Sequence, residues 1–316
     1  MSTRKLLASF LLLGAAAAAQ PGQLSGPGAG YVYDRTAAAL RPVRGVPGAA
    51  TLGDLLAVPY SLEAGFVAPR QDLAVLVATD GTTHWIALSG HGATEVAAQG
   101  SIATPERVVF SPTGTAAARV ASDSVQVVTG LPSSPALAGS VTLAPDRQPG
   151  RGRLAVSDDG AWLLLASGNG LRLVAVAGGG SITLMPNGQS AAVAFAPGSH
   201  DAAIASDGAV TWIHDAAGSA VQQAVAQNPA LARAVGVAFS ADGATLYAAT
   251  ATGSIWSFDL AAGTGVQQSS GALATGLEPM GGFFRLNQAG AGPLWLVDPN
   301  AGSPRVFFVP PAPTSN

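Results

Sequence analysis

The stretch Val237 to Gly263, VAFSADGATLYAATATGSIWSFDLAAG, alternates short apolar runs with turn residues. Its first run, Val235 to Phe239, ends in the turn Ala241-Asp242-Gly243. Thr245 to Thr250 reads as a second strand, Ser254 to Asp259 as a third, and Gly265 to Gln268 as a fourth after Ala-Ala-Gly. Runs of this length separated by Asp-Gly and Thr-Gly pairs predict antiparallel hairpins, because Asp and Gly accept the positive φ of tight turns. No part of the chain carries a persuasive 3.6-residue period.

The unit before it repeats the scheme. Trp212-Ile213-His214-Asp215, Ala-Ala-Gly and Val221-Gln222-Gln223 match Trp256-Ser257-Phe258-Asp259, Ala-Ala-Gly and Val266-Gln267-Gln268. The first-strand phrase recurs more widely, at Val108 to Pro112, Leu154 to Asp158, Val193 to Pro197 and Val237 to Ala241, with looser copies at Phe66 to Pro69 and Phe283 to Leu286. Aligning Val67, Phe110, Val156, Phe195, Phe239 and Phe283 gives steps of 43, 46, 39, 44 and 44 residues. A repeat of that length made of short strands predicts an all-β fold, a β-propeller with four-stranded antiparallel blades.

Six first-strand phrases favour six blades. Tyr31 to Asp34 and Ala39 to Val43 read as a third and fourth strand with nothing before them. Gly282 to Leu286, Leu294 to Val297 and Arg305 to Val309 read as a first, second and third. Joining the two chain ends in one blade would remove free sheet edges, although the surplus N-terminal strand leaves seven blades open. The expected organisation is a signal peptide over 1–19, a Gly/Pro linker over 20–29, one propeller domain over 30–310 and a Pro-rich tail over 311–316.

The phrase Val237 to Gly263 resembles repeats of the bacterial YVTN and WD-repeat propeller superfamily. The likeness covers most of the chain as a blade pattern, strongest from Phe195 to Asp259. It implies the fold and leaves function open, since propellers host many activities. The Gly-His pair and Asp of true WD repeats are not consistently present.

Composition narrows the function classes. Arg4 and Lys5, the apolar Leu6 to Leu13 and the small residues Ala15 to Ala19 predict an export signal cleaved near Ala19, hence a periplasmic or extracellular protein. The chain has no cysteine, which excludes disulfides and thiolate chemistry. Lys5 is its only lysine, so the exported chain has no lysine nucleophile. Without Arg4 and Lys5, 13 basic residues stand against 18 acidic ones, which argues against nucleic acid as a partner.

Three of the four glutamates, Glu63, Glu106 and Glu278, precede a predicted first strand by similar spacings. Equivalent positions on different blades point toward one axis, and oxygen ligands of that kind suit Ca²⁺, Mg²⁺ or Mn²⁺. Solvated loop carboxylates are the alternative. Arg147, Arg151 and Arg153 form a second candidate, for an anion, because guanidinium forks match carboxylates and phosphates. The five tryptophans are expected to pack between blades. Trp85, Trp212 and Trp256 are placed on third strands, Trp162 and Trp295 on second strands. His84, His91, His200 and His214 are scattered without a zinc-binding spacing, and no Gly-x-Ser-x-Gly elbow occurs.

The sequence therefore predicts an exported, non-enzymatic binding or scaffold module. Its partner, a protein or an extracellular polymer such as a polysaccharide, would meet the loop face where the first strands begin. A divalent-metal hydrolase or lactonase built on Glu63, Glu106 and Glu278, and a structural part of an envelope assembly, are the alternatives.

Overall fold

The computed structural model describes residues 28–89, 92–100, 104–122, 124–143, 153–167, 170–186, 190–269, 271–300 and 304–312. The proposed signal peptide, almost all of the linker and most of the tail lie outside them. Seven antiparallel sheets follow one another along the chain. Blade one spans residues 28–52, and blades two to seven span 62–96, 107–142, 154–186, 190–227, 234–269 and 278–309. The fold is a seven-bladed β-propeller. In blade six the strands Ala234–Phe239, Thr245–Thr250, Ser254–Asp259 and Thr264–Ser269 fall where the turn residues placed them.

Blade count and chain ends depart from the six-blade expectation. The N-terminal strands β1 (Gly28–Asp34), β2 (Ala39–Arg44) and β3 (Thr51–Leu52) form a three-stranded sheet of their own. Blade seven has four strands from the C-terminal segment alone: Glu278–Met280, Phe283–Arg285, Leu294–Asp298 and Arg305–Val309. The ends therefore do not share a blade. They meet by packing instead, with Val32 and Val43 in one apolar cluster with Met280, Leu296 and Val309. Phe283 moves from the first strand to the second, because the Gly281-Gly282 turn separates it from the short inner strand. Trp295 consequently sits on a third strand.

Blade one also differs in direction. The inner strands of blades two and seven begin near the Glu63 and Glu278 end of the channel and finish at the turns carrying Pro69 and Gly281. β1 runs the other way. Its Tyr31 N–H donates to Gln71 Oε1 (2.6 Å) beside the Pro69 turn, while Tyr33 Oη donates to the Glu63 carbonyl (2.9 Å) at the opposite end. Strand direction alternates across an antiparallel blade. β1, β2 and β3 thus correspond to second, third and fourth strands, and no described strand stands inside β1. At the channel, Gly281 N–H donates directly to the Pro69 carbonyl (2.7 Å), joining blade seven to blade two. Among the described residues, seven blades surround six inner strands.

Packing between blades holds the molecule together. Leu164, Leu173, Phe195, Ile204 and Ile213 fill the interface of blades four and five, and Phe239, Leu246 and Trp256 pack against Ala203 and Val210 between blades five and six. All five tryptophans belong to such clusters or pack against them. Polar clamps reinforce the seams. Asp158 accepts from Thr113 N–H (2.8 Å) and Thr113 Oγ1 (2.6 Å) on blade three and from Gly198 N–H (2.8 Å) on blade five. The buried Asp34 pairs with Arg41 Nε (2.9 Å) and caps the turn at Thr36 N–H.

Candidate functional site

The inner strands enclose a cavity of 670 Å³ along the axis, with a wall contribution from every blade. Its middle is apolar. Val67, Val109, Ala194 and Val235 line it and stay half-buried although they belong to innermost strands, so their open side is the lumen. Alternate residues of an inner strand pack toward the two neighbouring blades, Val67, Val109, Ala194 and Val235 each against an inter-blade cluster, and the edge of the strand borders the channel. A cavity of this size fits the range of small-molecule and peptide pockets.

Charges gather where the inner strands begin. Glu63, Glu106, Arg107, Glu278, Arg285 and Arg35 all line this mouth. The loops before first strands and those between second and third strands share that face, as expected. Thr104 of the former donates to the Gly81 carbonyl of the latter (2.5 Å), and Arg35 N–H donates to the Ala289 carbonyl (3.2 Å). Tyr33, packed over Gly65, has its hydroxyl pKa raised. Burial is the main cause, opposed by Arg35 and supported by Glu63 and Asp34.

The three glutamates reach one cavity without forming one site. Glu278 is paired with Arg285, and Glu106 accepts from Ser122 N–H (3.1 Å). Among the described residues no three His, Asp or Glu side chains are grouped to hold a metal ion. Glu63 and Glu278 lie within their strands, not in the preceding loops, which spreads the carboxylates around the wall. Of the arginine cluster, Arg147 and Arg151 lie outside the described residues. Arg153 is half-buried just before the inner strand Leu154–Val156, and its carbonyl accepts from Ala166 N–H (2.9 Å).

One constellation missed in the sequence links Ser157, Asp159 and His200. Ser157 Oγ donates to Asp159 Oδ1 (2.5 Å), and His200 Nε2 meets Asp159 Oδ2 (2.8 Å). The order is wrong for nucleophilic catalysis, which needs the imidazole between serine and carboxylate. Ser157 is fully buried, and the same Ser-x-Asp bond recurs from Ser240 to Asp242 (2.5 Å). It is a turn device of the blade.

No family model and no curated protein matches the chain. Among solved structures, a functionally unknown protein from Desulfotomaculum acetoxidans DSM 771 aligns with a TM-score of 0.60 at 14% identity, covering 90% of this chain and 100% of that one. The β-propeller domain of Myceliophteria thermophila Cps50 (Swd1) aligns with a TM-score of 0.46 at 16% identity, covering 65% of this chain and 70% of that one. The likeness is one of fold.

Proposed function

We propose that this chain is an exported binding module of the YVTN and WD-repeat-like propeller type, receiving a protein or extracellular-polymer partner at the channel mouth. The observation that carries the reading is the axial cavity of 670 Å³, apolar in its middle and ringed by charges of both signs at one end. Such a site binds by burying apolar surface and orients its ligand with a few polar groups. The Glu278–Arg285 pair and the Ser122 bond to Glu106 support a binding role over a metal-dependent one, because they engage two of the three rim glutamates. The basic and apolar start of the chain supports export.

Ala194→Trp tests the site, since Ala194 lines the lumen on the inner strand of blade five and a much larger side chain there encroaches on it. The apolar dye anilinonaphthalene sulfonate should fluoresce with the wild-type protein and lose most of that signal with an equally stable Ala194→Trp variant. Equal signals from both would remove the channel as the binding site. N-terminal sequencing of protein collected outside the cytoplasm should begin at Gln20. An intact Met1 there would contradict cleavage.

A further inference from the structure

Blade two carries a hydroxyl, an imidazole and a carboxylate in line. Thr82 Oγ1 stands 2.9 Å from His84 Nε2, and His84 Nδ1 stands 2.8 Å from Glu95 Oε1. The imidazole lies between hydroxyl and carboxylate, the order that Ser157, Asp159 and His200 lack. None of the three lines the axial cavity. Strand pairing brings them together. Thr82 and His84 are two residues apart and share a face. Glu95 pairs with Ile86, which makes it the diagonal neighbour of His84 on that face. Tyr60 stacks on the imidazole at 3.9 Å with an interplanar angle of 10°, which fixes the plane of the ring.

Asp80 Oδ1 accepts from the N–H (2.9 Å) and the hydroxyl (2.7 Å) of Thr82 and so holds the turn. A hydroxyl proton rotates about its C–O bond, so Thr82 offers it to Asp80 at rest and to His84 as the oxygen reacts. Thr82 is exposed while the His84 side chain is only 20% exposed, so a substrate meets the oxygen before the base.

We infer that Thr82, His84 and Glu95 form a hydrolytic site for small, reactive acyl esters, independent of the channel reading. An exposed hydroxyl on a tight turn touches little of a substrate beyond its carbonyl, which sets that class. Thr82 Oγ1 attacks the ester carbon as His84 Nε2 takes its proton. The bond to the alcohol oxygen breaks, Nε2 returns the proton to that oxygen, and the acyl group remains on Thr82. Water then attacks the acyl carbon while Nε2 takes its proton. The acyl bond to Thr82 breaks, the proton passes to Oγ1, and the acid leaves. Glu95 is a positioning residue: it accepts from Nδ1–H and leaves Nε2 as the basic nitrogen.

The probe is p-nitrophenyl acetate. Wild type should release a burst of nitrophenolate near about one equivalent per chain, and peptide mass spectrometry after acid quenching should place the acetyl group on Thr82. Thr82→Val, of the same shape, should lose the burst and the label, and Thr82→Ser should keep both. His84→Phe retains a ring for Tyr60 and should slow acylation by about a hundredfold. Glu95→Gln should slow it by about tenfold or more with KM unchanged, and Glu95→Asp should recover part of the rate. Matching urea midpoints place the comparison on folded proteins. An equal burst from wild type and Thr82→Val overturns the proposal, as does an acetyl group found elsewhere or no hydrolysis above the Thr82→Val level. The channel reading stands or falls separately, on the dye.

Discussion

Gly281 donates its N–H to the Pro69 carbonyl at 2.7 Å, so the inner turn of blade seven meets the inner turn of blade two with blade one standing behind them. Among the described residues seven blades carry six inner strands, and this contact joins blade seven to blade two at the channel. It borders the lobe of the cavity beside Tyr31 and Tyr33, which no described strand fills.

Gly30 is the residue on which that seam is most exacting. Its φ is +126°, and an added Cβ would stand 2.5 Å from Gln71 Oε1. Gly30→Ala should therefore destabilise by about 2–4 kcal/mol, from backbone strain and displacement of a hydrogen-bonded side chain together. Gln71→Ala alone should cost about 1 kcal/mol. In the double variant the losses should sum to less than the two single ones, as equilibrium urea unfolding would record.

Asp158 should be the most sensitive surface-turn carboxylate. It ties blades three, four and five through Thr113 and Gly198. Asp158→Ala should cost about 2–4 kcal/mol, the range for bonds to a charged acceptor left unmade. Asp158→Asn should recover part of it, since the amide keeps one accepting oxygen. Thermal and urea unfolding of the three proteins would check the order.

Two tyrosines should respond oppositely to loss of the hydroxyl. Tyr33→Phe removes the bond to the Glu63 carbonyl and should cost about 1 kcal/mol. Tyr60 Oη finds no partner among the described residues, and burial, then Glu95, push its pKa up to about 12. Tyr60→Phe should be neutral or stabilising by up to about 1 kcal/mol while keeping the stack on His84 at 3.9 Å. Their relative unfolding midpoints decide this.

Acid should weaken the fold partly through the Ser-x-Asp turns. For Asp159, burial raises the pKa, but the bonds from Ser157, Ala161 and His200 outweigh it and the net direction is down. Asp242 is lowered chiefly by the Ser240 hydroxyl and then by Ala244 N–H. A depressed folded-state pKa means the unfolded chain binds protons first. The stabilisation is therefore present above the ordinary Asp value of about 3.9 and is lost as pH falls through the folded value. The variant Asp159→Asn/Asp242→Asn should lose stability less steeply than wild type below about pH 4, as unfolding followed against pH would register.

The inner strands of blades two to six were legible because a repeated phrase marks each one: an apolar run ends in a small residue and a turn. Blade one was not legible as a blade for the same reason. No described strand stands inside it to carry the phrase, so Tyr31 to Val43 read as an unattached pair. At Phe283 the phrase matched in composition while Gly281-Gly282 had already turned the chain. Glu278 stands five residues before Phe283, where Glu63 and Glu106 stand four before their equivalents, and that offset was the sequence trace of the extra turn. The placement of the glutamates around one axis was readable from spacing. Their engagement by Arg285 and Ser122 was not, since it depends on neighbours brought in by the strand pairing.

Amide exchange at Tyr31 in the wild type and in Gln71→Ala tests the central claim, that the Tyr31 amide is met by the Gln71 side chain and that no strand among the described residues stands inside β1. The account predicts that Tyr31 is protected in the wild type and exchanges much faster in the variant, while Val32, which faces β2, keeps its protection. A Tyr31 amide that stays protected without Gln71 would mean that a strand already pairs with this edge, and would contradict the account.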